Sequence, residues 1–560
     1  MDYNILIGGA AGQGVETMGH ILAKTLKKLG FYVFLHKDYM SRIRGGHNFV
    51  QIRFSNQPIF THADNLTVII ALNLETVSLH YPRLVEQGRI IEVEDEDKID
   101  DKYISQVITL PTKQIVQKTG NQRVAGTAAV ACALRFFDLP LAPLFEQLED
   151  SFSEEILLAN KTAAEEGYAA TQSFFTQNLP NPWENIFING NEAIAMGALA
   201  AGCRFYASYP MTPATSIMTY LSKKSRQAPI LVEQVEDEIA AINMALGASF
   251  AGLRAMTGSS GGGFSLMVEG VSLAGMTETP VVIVVAQRPG PATGFPTRTE
   301  QGELGFVIHS GHGEFPRMVI ALRHPEDAFR QTIRAFNLAE KYQIPVFLLT
   351  DQYLADYAMT IKPFDFSSIS IDRHFSYDAP IEQYLRYKLT ESGISPRIIP
   401  GNTPGQLAYL DSDEHDEGGR ITESAEVRKA MVNKRLKKEI ALRNELIEPE
   451  YTGCENPEVL IIAWGSTYGP VKEAVLLLNS QSLPLGALIF GDIWPLPTKE
   501  LIHLSQHTRK IVNLEQNATG QLASLVRQQA TITCHHSLLK YDGRQWSKDE
   551  IVDRIIKEVW

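Results

Sequence analysis

Short apolar runs alternate with longer stretches of helical periodicity along most of the chain, the pattern of an α/β protein. NILIGG (4–9) leads through a turn rich in glycine (Gly8, Gly9, Gly12, Gly14) into the amphipathic VETMGHILAKTLKKLG (15–30) and then FYVFL (31–35). This is a strand, turn, helix and strand of doubly wound type. LTVIIAL (66–72) and SQVITL (105–110) predict further strands, with helical text to about residue 178. NLPNPWEN (178–185), with two prolines, reads as a linker. A second αβ unit follows: helix EAIAMGALAAG, strand RFYAS, helix SIMTYLSKK, strand ILVEQ and helix DEIAAINMALGASFAG, then the buried strands PVVIVVAQ (280–287) and PVFLLTDQYLA (345–355). The text from about 361 to 450 is more polar and predicts a connector arm. A third αβ unit starts at EVLIIAWGS (458–466) and ends in an amphipathic helix. The expected organisation is 1–180, 181–360, a connector at 361–450, and 451–560.

The length of 560 residues suits three to four ordinary domains. A net charge of −13 without a Lys/Arg block argues against a nucleic-acid or anionic-membrane surface. The N-terminus lacks a basic n-region, and no apolar run approaches the roughly 20 residues of a membrane span. Cys132, Cys203, Cys454 and Cys534 are scattered and form no Cys-x-x-Cys pair. A reduced, cytoplasmic chain with no metal or iron–sulfur ligand set of its own is the expectation.

Several stretches carry residues suited to chemistry. The Gly8–Gly14 loop before a helix suits a phosphate, but GGAAGQG departs from G-x-G-x-x-G, and His36-Lys37-Asp38 stands where a ribose-binding acid would be needed. A nicotinamide cofactor is therefore not expected. SRIRGGHN (41–48) sets Arg42 and Arg44 beside glycines, where they would grip a carboxylate or phosphate or simply form a solvated turn between helix and strand. Glu238, Ala241, Ala245 and Ala248 share one helical face, with Ile239, Ile242 and Leu246 on another. Glu238 there is either a functional carboxylate or one of several acids complementing a helix start. TGSSGGGFSLMVEG (257–270) allows close backbone approach to a ligand, and AQRPGPATGFPTRTEQGEL (286–304) leaves a buried strand through a rigid loop bearing Arg298. Arg298 suits a carboxylate, or pairs with Glu300. In YASYPMTPATS (206–216), Pro210 and Pro213 stiffen the chain on both sides of Thr212, as a turn or as a preset clamp.

Taken together, these stretches resemble the 2-oxoacid:ferredoxin oxidoreductases, in the form whose large α chain carries a γ-like domain fused ahead of it. GGAAGQGVETMG and SRIRGGHN match the γ-like part; YPMTP, EDEIAAINMALGASFAG, TGSSGGGFSLMVEG and TGFPTRTEQGEL match the α part. GISPRIIPG, DEHDEGG, VNLEQNATGQL and LKYDGR extend the match over nearly the whole chain, with Met211 where isoleucine is common. The resemblance implies a multidomain α/β fold with a γ-like domain, a pyrimidine-binding domain of thiamine type and a transketolase C-terminal-like domain. It implies thiamine diphosphate held between this chain and a β subunit that carries Mg²⁺ and a [4Fe-4S] cluster, so that the chain is active only with that subunit, in a heterodimer or heterotetramer. The implied reaction is coenzyme A-dependent oxidative decarboxylation of 2-oxoglutarate, with electrons passed to ferredoxin. Pyruvate or a broad 2-oxoacid range is the alternative; a non-redox thiamine lyase or transferase and a non-catalytic assembly subunit are alternatives of other classes. Glu238 maps to the glutamate that hydrogen-bonds the thiamine pyrimidine. Thr212 and Arg298 map to residues that hold the 2-oxoacid C1 carboxylate. Gly12, Gly14, Arg42 and Arg44 are candidates for contacting coenzyme A or a distal substrate carboxylate.

Overall fold

The protein is described from a computed structural model, which covers residues 2–40, 46–93, 101–176, 178–376, 384–402 and 405–560. It is a multidomain α/β chain that divides into two compact units. The first comprises Met1–Ile188 with two later segments, Asp356–Pro363 and Ser547–Glu550; the second comprises Asn189–Ala355, Phe364–Trp546 and Ile551–Trp560.

The first unit is built on an eight-stranded sheet. Its strands are β1 (Asp2–Ala10), β2 (Tyr32–Asp38), β3 (His47–Ser55), β4 (Leu66–Ala71), β5 (Leu84–Glu92), β6 (Val107–Thr109), β7 (Ile186–Asn189) and β14 (Ala358–Ile361), in the order β6-β5-β4-β1-β3-β2-β14-β7. The β1–helix–β2 opening is present, but β3 lies between those strands and pairs antiparallel with both. The sheet is therefore mixed where the sequence pattern predicts a doubly wound parallel start. The reason is local: β2 and β3 are adjacent in sequence, and a short connection can only join antiparallel neighbours. In sequence the stretch with Arg42 and Arg44 follows β2 rather than a helix; both arginines lie outside the described residues. Ile5, Ile7, Val33, Val50, Ile52 and Phe54 of the sheet pack against Leu22 and Leu26 of the helix Val15–Lys28 in one buried cluster.

The second unit holds a seven-stranded and a five-stranded sheet. The larger contains β8 (Cys203–Ser208), β9 (Leu231–Gln234), β10 (Arg254–Ser259), β11 (Val281–Gln287), β12 (Met318–Ala321), β13 (Pro345–Asp351) and β18 (Asp492–Trp494). Its order is β18-β12-β13-β11-β10-β8-β9, parallel except for the edge strand β18. The smaller contains β15 (Glu450–Gly453), β16 (Val459–Trp464), β17 (Leu485–Phe490), β19 (Lys510–Glu515) and β20 (His536–Leu539), in the order β15-β17-β16-β19-β20. Every residue of β11 and β13 is buried, as runs without polar alternation require. Ile283 and Phe347 from the larger sheet, Phe264 from the helix Gly261–Thr277, and Ile462, Trp464 and Phe490 from the smaller sheet belong to a single buried cluster.

No helix among the described residues is long and apolar enough to cross a membrane. Cys132 and Cys203 are buried, and burial pushes both thiols up to about 12, so they behave as small apolar side chains rather than nucleophiles.

Candidate active site

The parallel strands β8, β10, β11 and β13 end at one edge of the larger sheet, the edge where open α/β sheets bind ligands. β8 exits through Tyr209–Pro213, β10 through the glycines that open the helix Gly261–Thr277, and β11 through Arg288 into the loop bearing Arg298. Glu238, Thr212 and Arg298 therefore belong to segments at the same edge, although they are far apart in sequence.

Glu238 opens the helix Glu238–Phe250, whose N-cap Asp237 accepts from the Ala240 amide at 2.8 Å. The cap is Asp237, which leaves Glu238 available for another role. Its side chain is only 3% exposed, and the Ser259 hydroxyl donates to Glu238 Oε1 at 2.8 Å. The glycine run explains the approach. A Cβ on Gly263 would lie 2.1 Å from both Glu238 Oε1 and Ser259 Oγ, so any side chain there would expel the carboxylate. Ala241 and Ala245 are buried below it; Ile242 and Leu246 are buried as well, whereas Ile239 is 49% exposed.

On the other side of the same helical turn stands Glu303, a residue that periodicity and motif did not single out. A Cβ on Gly261 would lie 2.3 Å from Glu303 Oε1, and Glu303 Oε2 is buried without a hydrogen-bond partner. Burial, the negative charge of Glu300 and that of Asp351 push its carboxyl up to about 8, against the opposing pull of Arg288. Asp351, at the end of β13, is likewise raised by burial to about 6, although the Ser466 hydroxyl and the Leu354 amide donate to it. Arg288 Nη1 donates to the Thr212 carbonyl at 2.8 Å and so ties the proline-flanked loop to the exit of β11. Thr212–Pro213 is a cis peptide, and Asn191, fully buried, donates to the Pro213 carbonyl at 2.8 Å from behind.

Arg298 is half-buried and donates to its neighbour's carbonyl, Thr297 O, at 3.0 Å. The loop that follows is clamped from the smaller sheet. Gln301 Nε2 donates to Trp464 O at 2.7 Å, the Gln516 amide donates to Gln301 Oε1 at 3.1 Å, and Asn517 Nδ2 donates to Gln301 O at 3.1 Å. Gln521 adds both a donor to Gly302 O and an acceptor for the Gly305 amide, each at 2.8 Å. Glu515, fully buried at the end of β19, orders this segment by accepting from Asn513, Asn517, Trp464 and the Leu522 amide. VNLEQNATGQL is thus the scaffold of the Arg298 loop; the amide-rich run was the only hint of that in the sequence.

Gly12 and Gly14 lie in the first unit, at the start of the helix Val15–Lys28, with φ of 95° and 82°. They border a cavity of about 320 Å³ that Lys37 and Asn48 also line. Lys37 is already paired with Glu16 and Asp356, each at 3.3 Å, so its charge is largely committed.

Comparison with known proteins now bears on this geometry. Residues 196–434 match the family described as pyruvate flavodoxin/ferredoxin oxidoreductase, thiamine diphosphate-binding. Residues 4–170 match pyruvate ferredoxin/flavodoxin oxidoreductase, and residues 457–551 match pyruvate:ferredoxin oxidoreductase core domain II. The α subunit of a 2-oxoacid:ferredoxin oxidoreductase from Sulfolobus sp is 32% identical over 99% of this chain and 96% of its own length. The chain belongs to the 2-oxoacid:ferredoxin oxidoreductase α subunits. Within that family, 2-oxoglutarate synthase subunit KorA of Methanothermobacter thermautotrophicus is 32% identical over 67% of this chain and 99% of its own length. A solved structure, the 2-oxoglutarate:ferredoxin oxidoreductase of Magnetococcus marinus with 2-oxoglutarate, coenzyme A and succinyl-CoA bound, superposes with a TM-score of 0.94 at 31% identity, covering 100% of both chains. Within the matched residues 196–434, Glu238 is buried beneath the Gly261–Gly263 turn.

Proposed function

We propose that this chain is the α subunit of a thiamine diphosphate-dependent 2-oxoglutarate:ferredoxin oxidoreductase, which forms succinyl-CoA and carbon dioxide from 2-oxoglutarate and coenzyme A and passes two electrons to ferredoxin. The observation that carries the substrate assignment is the end-to-end likeness to the Magnetococcus marinus enzyme, with a TM-score of 0.94. Bound thiamine diphosphate supplies the electron sink for decarboxylation. Glu238 holds a proton against the pyrimidine N1′, and the Ser259 hydroxyl fixes which carboxylate oxygen is free to do so. Thr212 and Arg298 orient the C1 carboxylate. The proline-flanked loop and the glutamine clamp hold both in place before substrate arrives, which lowers the ordering cost of binding. Gly12 and Gly14 offer open backbone to coenzyme A or the distal carboxylate, and the β subunit contributes Mg²⁺ and the [4Fe-4S] cluster. The reaction is confined to the reduced interior of the cell.

A broad 2-oxoacid specificity has its own support, because the relatives aligned over nearly the whole chain are described only as 2-oxoacid oxidoreductases. Co-purification with the β subunit and coenzyme A-dependent reduction of a viologen dye decide between the readings. A preference for 2-oxoglutarate over pyruvate supports the first, equal rates the second, and no reduction with either overturns both. In the same assay Arg298→Lys is expected to raise the KM for the 2-oxoacid about 10- to 100-fold, the loss of one charge-assisted pair. A wild-type KM would remove the carboxylate role from Arg298.

A further inference from the structure

The carboxyl groups of Glu238, Glu300, Glu303 and Asp351 lie among the strand exits that carry Thr212 and Arg298. Arg288 and Arg298 are the cations set against them. A 2-oxoacid is itself an anion. With every one of those acids ionised, its carboxylate would enter a field of its own sign, so the protonation of the acids decides whether it binds.

Glu303 is the acid whose surroundings least accept a charge. Its Oε2 is buried without a hydrogen-bond partner, and its Oε1 rests on the backbone at Gly261, with no room for a Cβ between them. The Glu303 amide donates to Gln287 Oε1 at 3.0 Å, which anchors the residue beside Arg288 at the exit of β11. Arg288 gives Nη1 to the Thr212 carbonyl and acts on Glu303 through its charge. A buried carboxylate oxygen with no donor is costly, whereas the protonated acid carries no charge to solvate. Burial, Glu300 and Asp351 all favour the neutral form. Glu238, across the same helical turn, adds to them when ionised. Arg288 and the positive start of the helix Gly261–Thr277 oppose it. Gln521, reaching the same segment from the helix Gln521–Ala530, is neutral.

We infer that Glu303 sets the affinity for the anionic substrate: the 2-oxoacid binds with Glu303 protonated, and loss of that proton drives the substrate carboxylate from the place that Thr212 and Arg298 provide. The inference rests on the proposed 2-oxoacid reaction. Glu303 is a positioning residue, acting through the charge it withholds from Arg288 and the Thr212 loop. The proton balances: once Glu303 is ionised in the free enzyme, each substrate that binds brings one proton from solvent to its carboxyl, and release returns it.

In the complex reconstituted with the β subunit, the KM for the 2-oxoacid at saturating coenzyme A is expected to rise about tenfold between pH 7 and pH 9, the span over which a carboxyl with a pKa of about 8 loses its proton. The step belongs to KM and not to kcat, because bound substrate keeps the proton in place. Glu303→Gln has the shape without the ionisation and should give a KM that is flat over the same interval, whatever its absolute value. Ionisation of the coenzyme A thiol is common to both proteins and cancels in their comparison. Glu300→Gln removes a neighbouring negative charge and should move the rise to lower pH; this variant decides if Glu303→Gln fails to fold. A flat wild-type KM overturns the role of Glu303 and leaves the 2-oxoacid reaction standing. So does a tenfold rise that persists in Glu303→Gln or stays in place in Glu300→Gln. Absence of dye reduction with any 2-oxoacid overturns the reaction and this role together.

Discussion

At Gly263 the fold reserves for a carboxylate the volume that a methyl group would take. Gly263→Ala is expected to push Glu238 away from Ser259 and to lower reconstituted turnover about 10²- to 10⁴-fold, the range of a lost positioned proton-transfer group. Fluorescence titration with thiamine diphosphate should show weakened binding in the same variant; unchanged turnover and binding would separate the glycine from the site. The place of Glu238 on the alanine face was legible because spacing is a property of one helix, whereas its role at thiamine came from the resemblance alone. Ser259 and Glu303 were not, since they leave different strand ends, Ser259 to meet Glu238 and Glu303 to meet Gly261, and no sequence interval encodes those meetings. Glu303 also carries a pH signature. Its carboxyl is raised from about 4.5 to about 8 by burial and by neighbouring acids, so the folded chain binds more protons than the unfolded one between those values. Stability contributed by the neutral form is therefore fully present below about 4.5 and lost as pH rises through 8, each unit being worth about 1.4 kcal/mol. Glu303→Gln keeps the shape and cannot ionise. Its Tm should match wild type near pH 4.5 and exceed it by a growing margin up to pH 8.5; parallel Tm curves would contradict the raised carboxyl.

Among the elements, the apolar strands β11, β13 and β16 declared themselves through composition, while β14 and β18 did not. Both are short strands, β18 at the edge of its sheet and β14 between β2 and β7, and each depends on partner strands far away in sequence. β18 closes the larger sheet after a chain excursion through the smaller one, pairing with β12 at Val319 and Ile320. Asp492 anchors it: the carboxylate is 1% exposed, takes Arg334 in a two-pronged pair at 2.6 and 2.7 Å, and accepts the Ile447 amide at 2.8 Å. Removing one partner of a buried pair leaves the other charge uncompensated. Asp492→Ala should therefore destabilise the second unit by about 3 kcal/mol, read as a lower urea midpoint. Replacing both members, with Asp492→Leu and Arg334→Met, should recover most of that loss. If the double variant is as unstable as the single one, β18 is held by the ion pair and not by the sheet.

For the whole molecule, composition and motif order gave an α/β chain of several parts, and the family followed from stretches spread over its length. The assignment of segments to units did not follow, because the first unit recruits Asp356–Pro363 and Ser547–Glu550 from beyond the body of the second. Linear order cannot reveal such returns, and the recruited β14 has only four residues. Their structural weight is nonetheless specific. β14 pairs antiparallel with β2 through Ala358↔Leu35 and Met359↔Phe34, and the Val33 amide donates to Thr360 Oγ1 at 2.9 Å. Asp356 accepts from Tyr39 and pairs with Lys37, while Ser547 donates to Asp64 at 2.7 Å. A fragment ending at Ile188 keeps the buried cluster of the first sheet but opens the edge of β2 and leaves β7 without its neighbour. Exposed edges of this kind template pairing with another chain. The fragment Met1–Ile188 is therefore expected to associate, eluting as dimers or larger species in size-exclusion chromatography with light scattering. The same fragment carrying residues 356–363 on a flexible linker should elute as a monomer with a higher Tm. Equal elution and equal Tm would mean that β14 merely rests on the edge it covers.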